Sequence, residues 1–155
     1  MKIYAVIDTN VIVSALLSRH HDSATVKILD YLYDRVIVPV YNNEIIEEYV
    51  AVLKRPKFNF SEETICAVIE AIRKGGIDSE RITSNEQLPD PNDIVFYEVA
   101  LANEDSFLVT GNTKHFPKKP FVVTPAEMLQ IIQEMKSSKH GLLSEPSARY
   151  GRNKG

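Results

Sequence analysis

A single cysteine, Cys66, in 155 residues leaves no internal disulfide to form and suits a reducing compartment. The same scarcity argues against a zinc centre, since His20, His21, His115 and His140 show no paired ligand spacing that replaces the missing thiolates. No apolar run approaches the roughly 18 residues that a membrane helix needs. Met1-Lys2 leads directly into a short apolar stretch ending at Asp8, which is not the pattern of a secretory signal. No repeat occurs at solenoid periods. A surplus of basic charge is missing too: the formal net charge is −3. These absences lead us to expect a soluble cytoplasmic domain without membrane association.

The residues that are present suffice for one ordinary domain. With 44% hydrophobic and 25% charged residues, the chain can bury a core and solvate its surface unaided by disulfide or structural metal. The charge is unevenly spread. From Lys136 onward Lys136, Lys139, Arg149, Arg152 and Lys154 oppose Glu145 alone, a tail of +4 that leaves −7 on the preceding residues. So acidic a body argues against a broad basic surface for nucleic acid. Acids gathered around a divalent cation are one account of the excess, and solvated glutamates are another. We expect a domain over residues 1–135 and a disordered basic tail over 136–155, where apolar periodicity fades.

Short β-rich runs alternate with helical stretches. The run Ile3–Ile7 (IYAVI) has the continuous apolar character of a strand covered on both faces, as do residues 36–38, 107–109 and 121–123. Helical patterns fall at about 23–33, 43–53, 61–74, 92–103 and 125–135, with Ser61 and Asp90-Pro91 as start signals and Gly75-Gly76 as a stop. Residues 78–84 are ambiguous, with a short strand over 81–83 leading to the Asp90 turn as one reading. The alternation predicts a parallel sheet with helices on both faces, a three-layer α/β/α sandwich.

Ligands of open α/β sheets gather at the carboxyl ends of strands, which is where Asp8 falls. Thr9 and Asn10 stand ready to support its carboxylate, although Asp8 could equally cap the helix that follows. On a helical wheel over residues 44–55, Glu48 sits at the margin of the apolar arc formed by Ile45, Ile46, Tyr49, Val50, Val52 and Leu53, while Glu47 and Lys54 lie opposite. A solvated glutamate is the competing reading. Asp93 opens a helix (IVFYEVALA) that is apolar almost all round, and either complements its dipole or faces inward as a ligand. Taken together, three acids at one sheet edge repel each other unless a cation neutralises them, and oxygen donors without soft ligands select Mg²⁺, Mn²⁺ or Ca²⁺. Oxygen-held Mg²⁺ or Mn²⁺ is typical of phosphoryl chemistry.

The order of these motifs resembles a known family. Asp8-Thr9-Asn10-Val11 after the first strand is similar to the opening motif of PIN domains, and Glu44-Ile45-Ile46-Glu47-Glu48 running on to Leu53-Lys54-Arg55-Pro56 to their second. Asp90-Pro91-x-Asp93 and Leu108-Val109-Thr110-Gly111-Asn112 resemble the third and fourth. The matches extend from Met1 to about Gln133, with the nearest likeness to the toxin component of bacterial toxin–antitoxin pairs. The resemblance implies a metal-dependent endoribonuclease acting on RNA, with Asp8, Glu48 and Asp93 as its principal acids and Thr110 beside them. It also implies a homodimer and a small antitoxin protein as partner. The chain departs from the pattern at Asn112, where many members carry a fourth aspartate; an amide offers one neutral oxygen and no charge. Asp90 is a partial substitute, with capping as its alternative role.

Other residues have two readings each. Lys114, His115, Lys118 and Lys119 could contact phosphates or form a solvated loop, and His115 is a candidate general acid. Tyr4, Tyr31, Tyr33, Tyr41 and Phe58 are expected in packing rather than base stacking. Rival functions are a degenerate module that binds RNA or protein without cutting, a phosphoaspartyl phosphatase and a signalling receiver. Asn10 stands where the phosphatase needs a second aspartate, and the receiver's early acidic pair is missing.

Overall fold

The computed structural model describes residues 2–140. Five parallel strands form its sheet in the order β3-β2-β1-β4-β5, namely β1 (Ile3–Ile7), β2 (Ile37–Tyr41), β3 (Ile77–Asp78), β4 (Ser106–Val109) and β5 (Val122–Val123). The helices are α1 (Thr9–Leu17), α2 (Ala24–Tyr33), α3 (Asn43–Leu53), α4 (Glu62–Gly75), α5 (Ile94–Leu101) and α6 (Pro125–His140). The expected three-layer α/β/α arrangement is what forms. β1 is central, paired with β2 on one side and β4 on the other, so Ala5, Val6 and Ile7 are wholly buried. Its apolar run follows from cover on both faces over Ala5–Ile7, while Tyr4, expected in packing, is exposed. No helix among the described residues is long and apolar enough to cross a membrane.

Local chemistry sets the helix boundaries. Ser23, Asn42 and Ser61 each accept a backbone N–H from the first turn of the helix they precede, as N-caps do. α5 is buried from Val95 to Ala100, in keeping with its nearly unbroken apolar sequence, and packs on β1, β2 and β4. Its predicted first turn is instead a 3₁₀ turn, Pro91–Asp93, capped by Asp90, whose carboxylate accepts the Asn92 N–H at 3.0 Å.

Three sequence expectations are corrected. The short strand in the ambiguous region is Ile77–Asp78, paired with Val40 and Tyr41, rather than residues 81–83. Gly76 permits it: a Cβ there would meet the Pro39 carbonyl oxygen at 2.3 Å, so only glycine brings the chain this close to β2. β2 itself continues through Pro39 to Tyr41, a proline normally arguing against that extension. Finally, α6 does not stop at Met135 but reaches His140, so the first residues of the expected disordered tail are helical. The Lys136 ammonium lies 4.8 Å from the centre of the Tyr31 ring and donates to its hydroxyl at 3.2 Å, which holds the added turn on α2. The rest of that tail lies outside the described residues.

Candidate active site

Asp8 follows the last residue of β1, and its backbone N–H donates to the Val109 carbonyl at 2.9 Å, extending the β1–β4 ladder by one step. The side chain is only 6% exposed. Although Asp8 occupies the N-cap position of α1, and the Thr9 backbone N–H lies near enough to lower its carboxyl, the carboxylate makes no capping hydrogen bond. It accepts instead from the Thr110 hydroxyl at 2.7 Å. Thr110, fully buried just beyond β4, also accepts the Asn112 N–H at 3.0 Å, so one hydroxyl fixes both the central acid and the following loop. Asn10 ties that loop to α1, its Oδ1 accepting the Gly111 N–H at 3.2 Å.

Glu48 is half-buried on α3 and Glu47 exposed, as the wheel implies; Glu44, one turn back on the same side as Glu48, is exposed as well. Its neighbour Tyr49 is buried and donates its hydroxyl to the Ile7 carbonyl, pinning α3 against the end of β1 beside Asp8. Burial and the nearby Asp8 carboxylate push the Tyr49 phenol well above its ordinary range, so it serves as a neutral donor. Asp93 leaves the 3₁₀ turn and enters α5, where His115 Nδ1 stands 3.4 Å from its Oδ2. The other ring nitrogen, Nε2, lies 3.0 Å from Asn112 Nδ2. With the amide so oriented, Nε2 accepts, the ring proton sits on Nδ1 toward Asp93, and Oδ1 is the amide's remaining acceptor.

Asp8, Glu48, Asp90 and Asp93 line a single open cleft of roughly 710 Å³, together with Thr9, Asn10, Asn112 and His115. Burial, reinforced by the Asp93 charge and opposed by the Thr110 hydrogen bond, pushes the Asp8 carboxyl up to about 6. Burial and the charges of Asp90 and Glu48 also raise Asp93, against the lowering influence of His115. The acids therefore share one electrostatic site. They are not drawn into a closed ligand set: among the described residues no three His, Cys, Asp or Glu side chains are placed to hold a metal ion together. Mutual repulsion, with Asp8 held by Thr110 and Asp93 leaning on His115, accounts for that spacing.

The donor set nevertheless fits a hard divalent cation in kind. It consists of carboxylate, amide and hydroxyl oxygens around an acid whose ionisation is penalised by burial and by the Asp93 charge. Thr9 Oγ1, buried beside it, is the one such side-chain atom among the described residues without a hydrogen-bond partner. Lys114 is exposed and absent from the cleft lining, and with Lys118 and Lys119 it lines a separate depression.

Sequence reasoning missed Arg55 and Arg81, and expected Phe58 in packing, whereas it lines the cleft. Arg55 lines the cleft too; it lies beyond the end of α3 with a non-helical backbone, so helical spacing gave no signal for it. Arg81, in the ambiguous segment, donates from Nη1 to both oxygens of Glu44 at 2.8 and 2.7 Å and from Nε to Glu98 at 2.7 Å. Glu98 is 5% exposed on α5 and also accepts the Ser84 N–H at 2.6 Å, so its buried charge is satisfied, and the segment entering Asp90 is fastened to α5.

The fold, with acids gathered at the carboxyl ends of parallel strands, defines a class of α/β proteins with an acidic edge site. The family model for the PIN domain matches residues 4–114, and the chain belongs to that family. PIN domains are typically nucleases. No curated protein and no solved structure gives a significant match.

Proposed function

We propose that the chain is a Mg²⁺- or Mn²⁺-dependent endoribonuclease that hydrolyses RNA phosphodiesters. The observation that carries this reading is Asp8: a buried carboxylate at the end of the central strand, excused from capping, raised in pKa and facing other acids across one cleft. Asp8, Glu48 and Asp93 would hold the ion, with Asn112 lending a neutral oxygen and Thr9, Asn10, Asp90 and Thr110 supporting the ligands. A bound divalent cation supplies charge stabilisation at the phosphoryl group and a more acidic water. The chain's own part is to orient and to manage protons. Thr110 fixes the Asp8 carboxylate by its hydroxyl, and Tyr49 fixes α3 and thus Glu48. His115, with Nδ1 toward Asp93 and Nε2 accepting from the Asn112 amide, holds these two side chains at the cleft wall; it can act as a general acid only if Nε2 is protonated and released from Asn112.

The test is cleavage of single-stranded RNA in Mg²⁺, Mn²⁺ or chelator. Cleavage should require the metal and vanish in Asp8→Asn and Glu48→Gln chains that still melt cooperatively. Cleavage persisting in chelator, or none with either metal, overturns the reading. The second outcome favours a non-cleaving RNA- or protein-binding module, for which Asn112 speaks, since it brings no charge and spends its amide N–H on His115. By the same resemblance we propose a cytoplasmic homodimeric toxin neutralised by a small antitoxin. Growth arrest on expression, relieved by a neighbouring small reading frame, tests the role; light scattering tests the dimer.

A further inference from the structure

One wall of the cleft is unlike the rest. Glu48 and Val52 lie one turn apart on the face of α3 that lines it, and the wall continues through Arg55 and Phe58. Between α3 and α4 the chain makes a 3₁₀ turn, Pro56–Phe58, closed by the Phe58 N–H donating to the Arg55 carbonyl at 3.1 Å. Asn59, with φ of 54°, takes the left-handed conformation that ends it. Arg55 and Phe58 are thus three residues apart across a tight turn and reach the same cleft.

Neither side chain has a sufficient structural occupation. Arg55 is exposed and forms no ion pair among the described residues, although four carboxylates line the cleft with it. Phe60 packs against the hydrophobic core, whereas Phe58 stands outside it and stacks on Phe60 at 5.6 Å with a 17° interplanar angle. A core-anchored ring therefore backs an accessible one. The Lys57 ammonium lies 5.1 Å from the Phe58 ring centre, an exposed cation–π contact weaker than a base–aromatic stack and easily exchanged for one.

We infer that Arg55 and Phe58 form a nucleotide-binding subsite, with Arg55 taking a backbone phosphate and Phe58 stacking on an unpaired base of single-stranded RNA next to the acidic site. The choice of RNA rests on the nuclease reading. A fixed cation and a backed aromatic ring are the two elements with which proteins hold single strands, and bases in a duplex leave no face free for such a ring. The pair also supplies, within one chain, the positive charge that an acidic cleft needs to admit a phosphodiester.

The experiment measures binding of a fluorescein-labelled single-stranded RNA 12-mer, and of the same strand annealed to its complement, to full-length Asp8→Asn chain in chelator. Phe58→Ala should weaken single-strand binding roughly five- to a hundredfold, the range for a lost base stack, and Phe58→Trp should restore it. Arg55→Gln should lower the slope of log K against log salt by about 0.7, a change that Phe58→Ala does not make. Unaltered binding in Phe58→Ala, a Phe58→Trp chain that folds yet stays weak, an unchanged salt slope in Arg55→Gln, or a duplex held as tightly as the single strand overturns the subsite. So does the absence of any single-strand binding. If wild type cuts RNA and the Phe58 variants cut with the same KM, the subsite falls and the nuclease stands. If wild type cuts nothing but single strands bind through Phe58, the nuclease falls and the subsite stands.

Discussion

Replacing Asp8 with asparagine should make the metal-free protein more stable, not less. The carboxyl moves from 3.8 to about 6 on folding, chiefly through burial with the Asp93 charge added. Because the folded value lies above the unfolded one, the folded chain holds this proton more tightly. The group's contribution to stability is complete below pH 3.8 and is lost as pH rises through about 6. At pH 7.5 the ionised Asp8 costs roughly 3 kcal/mol, at about 1.4 kcal/mol for each tenfold change in proton affinity. Asparagine stands in for the neutral carboxyl, since its Oδ1 can accept from the Thr110 hydroxyl. Asp8→Asn should therefore raise the melting temperature in chelator by roughly 6–12 °C at pH 7.5, at about 2–4 °C per kcal/mol for a domain of this size. The gap should close toward pH 4. Millimolar Mg²⁺ or Mn²⁺ should also close it from the other side, by stabilising wild type and leaving the variant unmoved. Paired thermal melts by circular dichroism between pH 4 and 8 read all three effects. A variant less stable at pH 7.5, or a difference that does not change with pH, would refute the picture of Asp8 as a buried anion without a counter-ion.

Thr110→Val removes the hydroxyl that lowers Asp8, and should cost about 1.5–3 kcal/mol at neutral pH but less near pH 4, as measured by urea unfolding at the two values. Arg81→Met leaves the Glu98 carboxylate buried and half its partners gone, a loss of about 3 kcal/mol in the same assay, whereas Glu44→Gln at the exposed end of the clamp should cost about 1 kcal/mol or less. Asn112→Asp adds an anion beside His115, and should tighten Mn²⁺ binding in calorimetry and speed any RNA cleavage; no change in either would place residue 112 outside the coordination sphere.

How much was legible depended on whether the signal was local. IYAVI announced a strand by its continuous apolar run, and Ser61 and Asp90 marked element starts that their own capping hydrogen bonds make. Glu48 could be separated from Glu47 because an α-helix fixes angular position from spacing alone, but not from Glu44, which lies one turn back on the same side. β3 could not be seen: two residues carry no periodicity, and their pairing depends on Gly76 meeting Pro39 across the fold. The same blindness applied to Arg81, whose partners Glu44 and Glu98 lie far along the chain in both directions. Asp8 itself was ambiguous between cap and site, and only the hydroxyl of a residue 102 positions away decided what its carboxylate does.

That separation has a consequence in time. Asp8 leaves the ribosome early, whereas Thr110, which orients it, and β4, which flanks it, follow some 102 residues later. At bacterial-to-eukaryotic elongation rates of about 5–20 residues per second, the gap lasts roughly 5–20 seconds. Throughout that interval the Asp8 carboxylate lacks the hydroxyl that orients it and β1 lacks one of its two neighbours, and a prematurely released fragment ending before β4 never acquires either. Since β1 is the middle strand, it cannot be completed from one side. An RNA-cutting activity built on this sheet would be withheld during its own translation, next to the very message being read, without any inhibitor to hold it back.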